Sequence, residues 1–472
     1  MIWIILVLSL TLRLISLNQS LWLDEAINVL ATQNFSLLGM VTEYAKADFH
    51  PPLYFIILWI WTKMFGISEF AVRIPSVIFG VLTIYLVFLI GQKLHSKTLG
   101  LFSAFLLAIN PLHIYYSQEA RMYSLAAFAV STNVFYLTKL IQGEKPRFIL
   151  LIISNFLVLT SDYLAYFIFP AQLIFLFIQR NRETIKKWLL ALGVSVLFSI
   201  WWLPMLLAQL DVGAVAAERL PAWKFIVGGF DLRGIPLTFV KFIIGRISYP
   251  DKIVYAVTLL PVCFLFLYLI FRGIRFIGSI GKKLLLLWFG VPIILGTFIS
   301  LFIPIYSYFR MLFTLPSFIF LIALGIISFK SQLRYAFLLA VLLVELFSTS
   351  IYLSNSSYQR DDWRGLVNHL KMTDNNSLIL FESSGTLPPF DYYAKGSLNA
   401  IGALKDFPAI NNSDLVDLES ISKKQKDIYL IEFLVDISDP NRLVNKKLVS
   451  LGYKQIEILN FVGVGFVYHY VK

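Results

Sequence analysis

The chain has 472 residues, 58% hydrophobic and 14% charged, and 40 Lys and Arg against 28 Asp and Glu give it a formal net charge of +12. Soluble domains are about half apolar and about a quarter charged, so this composition, with a mean hydropathy of +0.75, excludes an ordinary soluble enzyme and indicates a polytopic membrane protein. The basic residues sit mostly in short loops between apolar blocks, the distribution of the positive-inside rule, which argues against nucleic acid as a partner.

A membrane span needs about 20 apolar residues. About eleven segments qualify: 1–17, 73–92, 98–115, 122–140, 147–160, 163–179, 188–206, 253–271, 284–302, 309–327 and 335–353. The first is expected to be a retained span and not a cleaved signal, because it lacks a basic n-region and no small-x-small site follows before Asp24. The single cysteine, Cys263, lies in an apolar run and allows neither an intramolecular disulfide nor a thiolate metal cluster.

Basic loops follow alternate segments: Lys93 and Lys97; Lys139, Lys145 and Arg147; Arg180, Arg182, Lys186 and Lys187; Arg272, Arg275, Lys282 and Lys283; Lys330 and Arg334. That side is expected to be cytoplasmic. Asp24, Glu119, the loop 207–251 and the C-terminus are then extracytoplasmic, in the cell membrane's outer face.

The interval 18–72 is too long for a turn. Val41–Lys46 and the aromatic run Tyr54–Phe65 read as helices along the outer membrane surface, with Trp59 and Trp61 as interface anchors. From about residue 354 polar residues and turn signals return. Runs at Leu378–Phe381, Ile428–Phe433 and Phe461–Tyr470 read as strands, and Trp363–Leu370 reads as a helix. Residues 1–353 are thus expected to form a transmembrane domain and 354–472 a small extracytoplasmic α/β domain.

The chemistry concentrates at the outer ends of the early segments. Asp24 and Glu25 leave the first span beside Trp22, a residue type that favours the membrane–water interface. His50-Pro51-Pro52-Leu53-Tyr54 brings an imidazole and a rigid turn, Arg73-Ile74-Pro75-Ser76 a cation, and Tyr115–Tyr123 a further acid, Glu119, and a further cation, Arg121. A charge at membrane depth costs about 2.5–3.5 kcal/mol on insertion scales, so several on one face suggest a functional cavity. Arg13, near the outer end of the first segment, reads as a snorkelling side chain. Asp162 and Glu345 are further candidates for cavity positions.

These pieces in order resemble the bacterial branch of the dolichyl-phosphate-mannose-protein mannosyltransferase family, which includes the lipid A aminoarabinose transferases. The matching stretches are Trp22–Ala26, His50–Tyr54, Phe70–Ser76 and Tyr116–Tyr123. The resemblance is dense over about 1–140 and thinner beyond. There Tyr308-Phe309-Arg310 looks like the family's late arginine, and Tyr358–Arg364 like the start of its C-terminal outer domain.

The resemblance implies a GT-C fold, mostly helical. It also implies transfer of a sugar from a polyprenyl-phosphate donor to a glycan, lipid or protein acceptor, with an acid of the first outer loop as base. Asp24 is the matching position, and Glu25 and Glu119 are the other candidate catalytic acids. His50, Arg73, Tyr116, Arg121, Tyr123, Tyr308 and Arg310 are candidate substrate-binding residues, arginine suiting bidentate phosphate contact. Arg219, Lys224, Arg233, Lys241 and Arg246 in the loop 207–251 face either the substrate phosphate or anionic lipid headgroups. Metal-dependent members of the class carry an Asp-x-Asp in an outer membrane loop, and this chain has none there; neither a metal nor another cofactor is expected. The alternative function is a lipid or polyanion transporter, against which stands the absence of paired broken helices in inverted repeats. An anchoring scaffold leaves the Asp-Glu and His-Pro-Pro elements unexplained.

Overall fold

The computed structural model describes residues 1–144, 147–219, 228–373 and 377–472. Lys145 and Lys224 lie outside the described residues. The protein is a membrane protein, mostly helical, with one small sheet near the C-terminus.

Each of the eleven apolar segments forms a helix or a broken helix. Six of the described helices are long and apolar enough to cross a membrane: Glu69–Leu94, Tyr123–Ile141, Arg182–Ala216, Lys252–Phe276, Ser279–Ile299 and Ser331–Ser354. The pair Lys97–Ile109 and Pro111–Ser117 is long and apolar enough when taken together, but is bent by 64° at the break, the form of a broken span or a re-entrant loop. Ile2–Leu14, Phe148–Ser161, Leu164–Gln179 and Leu312–Ile327 are apolar but shorter. Leu315–Ile327 is buried along its whole length, so its neighbours, not lipid, surround it. The helix Lys252–Phe276 packs directly on it through two glycines. A Cβ on Gly273 would stand 2.2 Å from the Leu321 carbonyl oxygen, and one on Gly325 2.1 Å from that of Leu269. Small residues at such crossings let backbones approach where no hydrophobic effect drives helices together.

The 64° bend has a local cause. Pro111 supplies no N–H, and the Asn110 side chain caps the new helix by accepting from the His113 N–H at 3.1 Å. Carbonyls freed at the break need donors at membrane depth. Ala108 receives Arg13 at 3.0 Å and Ile109 receives the Thr349 hydroxyl at 2.8 Å. Arg13 is therefore fully buried and does not snorkel; it also contacts Ser9 and His113 at 2.8 and 2.6 Å. The expectation failed because a hydropathy window cannot see a broken neighbour that needs donors.

The first loop folds as a helix Leu23–Asn34, a short helix Leu37–Thr42, a 3-10 turn Tyr44–Lys46, and a helix Leu53–Phe65. Trp59 and Trp61 do not spend their indole N–H groups on an interface. Trp59 donates to the Phe35 carbonyl at 3.0 Å within this layer, and Trp61 donates to the Ala71 carbonyl at 2.8 Å, tying the layer to the helix Glu69–Leu94.

The C-terminal sheet has the order β2-β1-β3-β5-β4, with β1 Leu378–Phe381, β2 Ala400–Gly402, β3 Asp427–Ile431, β4 Lys454–Phe461 and β5 Gly465–Val471. β1 is parallel to β2 and β3; β5 is antiparallel to β3 and β4. The predicted strand Phe461–Tyr470 is a strand from Gly465 onward, within β5; its first residues are the end of β4 and the hairpin turn, where Gly463 and Gly465 take positive φ. Trp363–Thr373 covers one face, with Trp363 fully buried against Phe381 and Phe433.

Candidate active site

Asp24 lies in the first turn of the helix Leu23–Asn34, where a carboxylate is favoured by the helix dipole. Its side chain is 36% exposed and one oxygen stands 3.6 Å from Arg121. Glu25, one residue on, points elsewhere, as a 100° helical step requires. It is fully buried and accepts from Arg73 Nε at 2.8 Å, Arg73 Nη2 at 2.5 Å and the Ala120 N–H at 2.7 Å. Burial alone would raise its pKa; Arg73, Arg360 and the Ala120 N–H outweigh it and hold the group ionised.

Arg73 has five N–H donors, and all five are engaged. Besides Glu25, they reach the carbonyls of Leu17, Gln19 and Ser20 at 2.8, 2.6 and 3.0 Å. The expectation that Arg73 contacts a phosphate is corrected: it has no donor left, and it fastens the turn before Asp24. Sequence position could show a cation at a helix mouth but not how many carbonyls surround it.

Glu119 is likewise committed. Its carboxylate lies 2.8 Å from Arg360, both side chains 2% exposed, and the Arg360 guanidinium stacks 3.7 Å from the Tyr115 ring centroid.

The fourth acid described in this region is Asp48. It meets His50 Nδ1 at 2.5 Å and Arg121 Nη1 at 3.2 Å. Burial pushes its carboxyl up, but the Arg121 guanidinium and His50 hold it well below the usual carboxylate range. Gln209 fixes this loop by donating to the Ala45 and Asp48 carbonyls at 2.6 and 2.5 Å. Tyr54 and Ser76, 3.0 Å apart, link onward to the Arg121 carbonyl at 3.3 Å. The early motifs are therefore one hydrogen-bonded unit. No group of three His, Cys, Asp or Glu fit to hold a metal occurs among the described residues.

Beside Arg121 lies an aromatic cluster. Tyr116 and Tyr123 sit 5.3 Å apart and each meets Phe309, at 5.7 and 5.3 Å; Tyr308 packs edge-on to Phe309 at 5.4 Å. The segment 308–310 thus comes to the residues it was expected to join. The Tyr123 hydroxyl is within electrostatic reach of Arg121, Arg310 and Asp24. Of the bases in the loop 207–251, Arg246 reaches this cluster, stacked 4.6 Å over Tyr115. Lys241 donates to the Ile247 carbonyl at 2.8 Å and Arg233 pairs with Asp231, while Arg219 is exposed on its helix.

Residues 49–207 match the family model described as dolichyl-phosphate-mannose-protein mannosyltransferase. That bears out the resemblance read from the motifs. A curated relative in Bacillus subtilis (strain 168), YkcB, whose name assigns it provisionally to the mannosyltransferases, is 26% identical over 201 residues; the match spans 39% of this chain and 28% of that protein. Among solved structures, ArnT from Cupriavidus metallidurans bound to undecaprenyl phosphate is similar with a TM-score of 0.56 at 12% identity, covering 99% of this chain and 97% of that one. The oligosaccharyltransferase AglB from Archaeoglobus fulgidus, in complex with an inhibitory peptide and a dolichol-phosphate, gives 0.56 at 14%, covering 99% and 74%. The mycobacterial arabinofuranosyltransferase AftD gives 0.58 at 12%, covering 100% and 39%. These likenesses show a GT-C-like fold.

Arg360 and Asp48 were not among the candidate site residues. The signal for Arg360 was present in the charged run Arg360-Asp361-Asp362-Trp363-Arg364 directly after the last apolar segment.

Proposed function

We propose that this chain is an integral-membrane glycosyltransferase that moves a sugar from a polyprenyl-phosphate donor to an acceptor, with inversion, using Asp24 as general base. One observation carries the choice of residue. Of Asp24, Glu25, Asp48 and Glu119, Glu25 and Glu119 are sealed against guanidinium groups and Asp48 is 13% exposed beside one, whereas Asp24 keeps 36% of its side chain open and stands 3.6 Å from Arg121.

In the proposed reaction the acceptor hydroxyl attacks the anomeric carbon as the bond to the phosphate oxygen breaks. The hydroxyl proton passes to the Asp24 carboxylate, and polyprenyl phosphate leaves with the bonding pair. The anomeric carbon becomes oxocarbenium-like, so deprotonation comes late and an ordinary carboxylate suffices. Arg121 steers Asp24, while Arg310 and Arg246 beside the tyrosine cluster receive the phosphate charge. Tyr116, Tyr123 and Tyr308 line the sugar and lipid head, and the Asp48–His50 pair holds Arg121. The supports are the family match over 49–207, the GT-C-like fold, and the undecaprenyl phosphate and dolichol-phosphate bound in the similar structures of ArnT and AglB.

The same reading places all eleven apolar segments across the membrane, the Asp24 end and residues 354–472 outside, and the glycan, lipid or protein acceptor entering from that side. Asp24→Asn keeps the shape and removes the base. Turnover of mannosyl-phosphoundecaprenol should fall about 10²–10⁴-fold with the thermal melt unchanged. Retention of more than roughly a tenth of wild-type turnover, outside the range of a lost base, overturns the assignment.

A further inference from the structure

The turn that delivers Asp24 is gripped from two sides. From the bundle, Arg73 takes the carbonyls of Leu17, Gln19 and Ser20. From the C-terminal unit, the backbone N–H of Arg360 donates to Gln19 Oε1 at 3.0 Å and that of Arg364 to Ser20 Oγ at 3.2 Å, and the Arg364 guanidinium reaches the Asn18 carbonyl. The Leu21 N–H donates to the Tyr393 hydroxyl at 2.8 Å, and that hydroxyl donates onward to Glu69 at 3.0 Å. Leu23 packs against the apolar core under the sheet. Every residue from Leu17 to Leu21 thus has a backbone or side-chain bond to one jaw or the other.

The turn needs both jaws. Ser16, which starts it, has φ of +55°, a left-handed conformation unfavourable for a non-glycine residue that persists where its surroundings over-determine it. The Trp22 backbone N–H, at the cap of the Asp24 helix, donates to Glu25 Oε2 at 3.5 Å. The direction of the first helical turn is therefore set by what holds residues 17–21 together with the anchoring of Glu25 on Arg73 and the Ala120 N–H.

We propose that the C-terminal α/β unit is a positioning element for sugar transfer, with Arg360 and Tyr393 as positioning residues that fix this turn and thereby aim the Asp24 carboxylate. The inference rests on the reading of Asp24 as base. Arg360 acts through its buried contacts with Glu119, the Tyr115 ring and, at 3.2 Å, the Tyr115 carbonyl; Tyr393 acts through Leu21. A misplacement of about 1 Å at a reacting group can cost on the order of 10²-fold in rate, so a loosened jaw should be visible in kcat.

The test uses the full chain in detergent. Tyr393→Phe keeps the ring and removes the hydroxyl. Arg360→Gln removes the charge, and Arg360→Lys restores it without the planar fork. Tyr392→Phe, whose hydroxyl bonds the Ile67 carbonyl at 2.6 Å and not the turn, is the control. Amide hydrogen exchange over residues 17–26 should quicken about tenfold in Tyr393→Phe and Arg360→Gln and stay at the wild-type rate in Tyr392→Phe. With mannosyl-phosphoundecaprenol, kcat should fall about tenfold or more in the first two, with KM within twofold and partial recovery in Arg360→Lys.

Unchanged exchange overturns the clamp. Quickened exchange with unchanged kcat overturns positioning and leaves a merely structural contact. Where Arg360→Gln does not fold, Tyr393→Phe decides alone. Asp24→Asn separates the two claims: if it keeps its turnover, the base assignment has failed while the exchange result still judges the clamp.

Discussion

At the Asp24 end of the bundle, acids are buried against arginines that come from elsewhere in the chain. Glu25 meets Arg73, Asp48 meets Arg121, and Glu119 meets Arg360, each pair joining two separate elements. Beneath the C-terminal sheet the opposite arrangement holds. Glu382, directly after β1, is fully buried, and neither of its oxygens has a hydrogen-bond partner among the described residues. Its neighbours Asp439 and Glu432 are acids, with Arg442 the opposing charge. Paired burial fixes geometry, because each partner constrains the other through directional bonds. Unpaired burial fixes nothing and instead makes stability depend on whether a proton is present. The first suits a site that must hold a carboxylate in one direction; the second leaves the sheet open to pH.

The paired region can be broken most violently at Arg73. Removing one partner of a buried pair costs about 3–5 kcal/mol, because the other charge stays behind in a dry site. Arg73→Gln should therefore lower the melting temperature of the purified chain sharply. Replacing both partners, Arg73→Met with Glu25→Leu, is the sharper version. A simple ion pair would be nearly restored by apolar residues of similar volume. Here recovery should be partial, since the carbonyls of Leu17, Gln19 and Ser20 lose their donors too. Full recovery in the double variant would show that Arg73 is a counter-ion and not a brace for the turn.

Much of the site's membership was legible in the sequence, and little of its division of labour. Asp24, His50, Arg121 and Tyr123 announced themselves as polar residues at the mouths of apolar segments, because burying such groups in lipid is costly without a purpose. Which acid stays open and which is sealed was hidden. Asp24 and Glu25 are chemically alike and adjacent; the 100° step between them decides everything, and only tertiary packing says which one faces Arg73. Segment positions were read well, since an apolar block has few alternatives to a helix in lipid. β4 was missed because both its faces are largely open to solvent, so no strict alternation of polar and apolar residues marks it. The bend at Asn110-Pro111 was invisible to hydropathy, and with it the burial of Arg13.

The unpaired region offers a smaller but cleaner effect. Burial, with Asp439 and Glu432 nearby and Arg442 opposing, pushes the Glu382 carboxyl up to about 9. An unfolded glutamate ionises near its ordinary value of about 4.3. Between those limits the folded state holds a proton that the unfolded state has released, so the folded state binds more protons and stability must fall as pH rises. The contribution is fully present below the unfolded value and is lost progressively towards pH 9. Glu382→Gln removes the titration and gives Asp439 an amide donor, its Oδ1 being buried without a partner and its Oδ2 accepting the Val444 N–H at 2.9 Å. The variant should be more stable than wild type at pH 8–9 by about 1–3 kcal/mol, the usual cost of an uncompensated buried polar group. At pH 5 the two should differ little. The measurement is the melting temperature of the C-terminal unit, followed through near-ultraviolet dichroism of Trp363 and its aromatic neighbours, at intervals from pH 5 to 9. Parallel curves for the two proteins would mean that Glu382 finds a partner or water in solution, and the contrast between the two regions would then be lost.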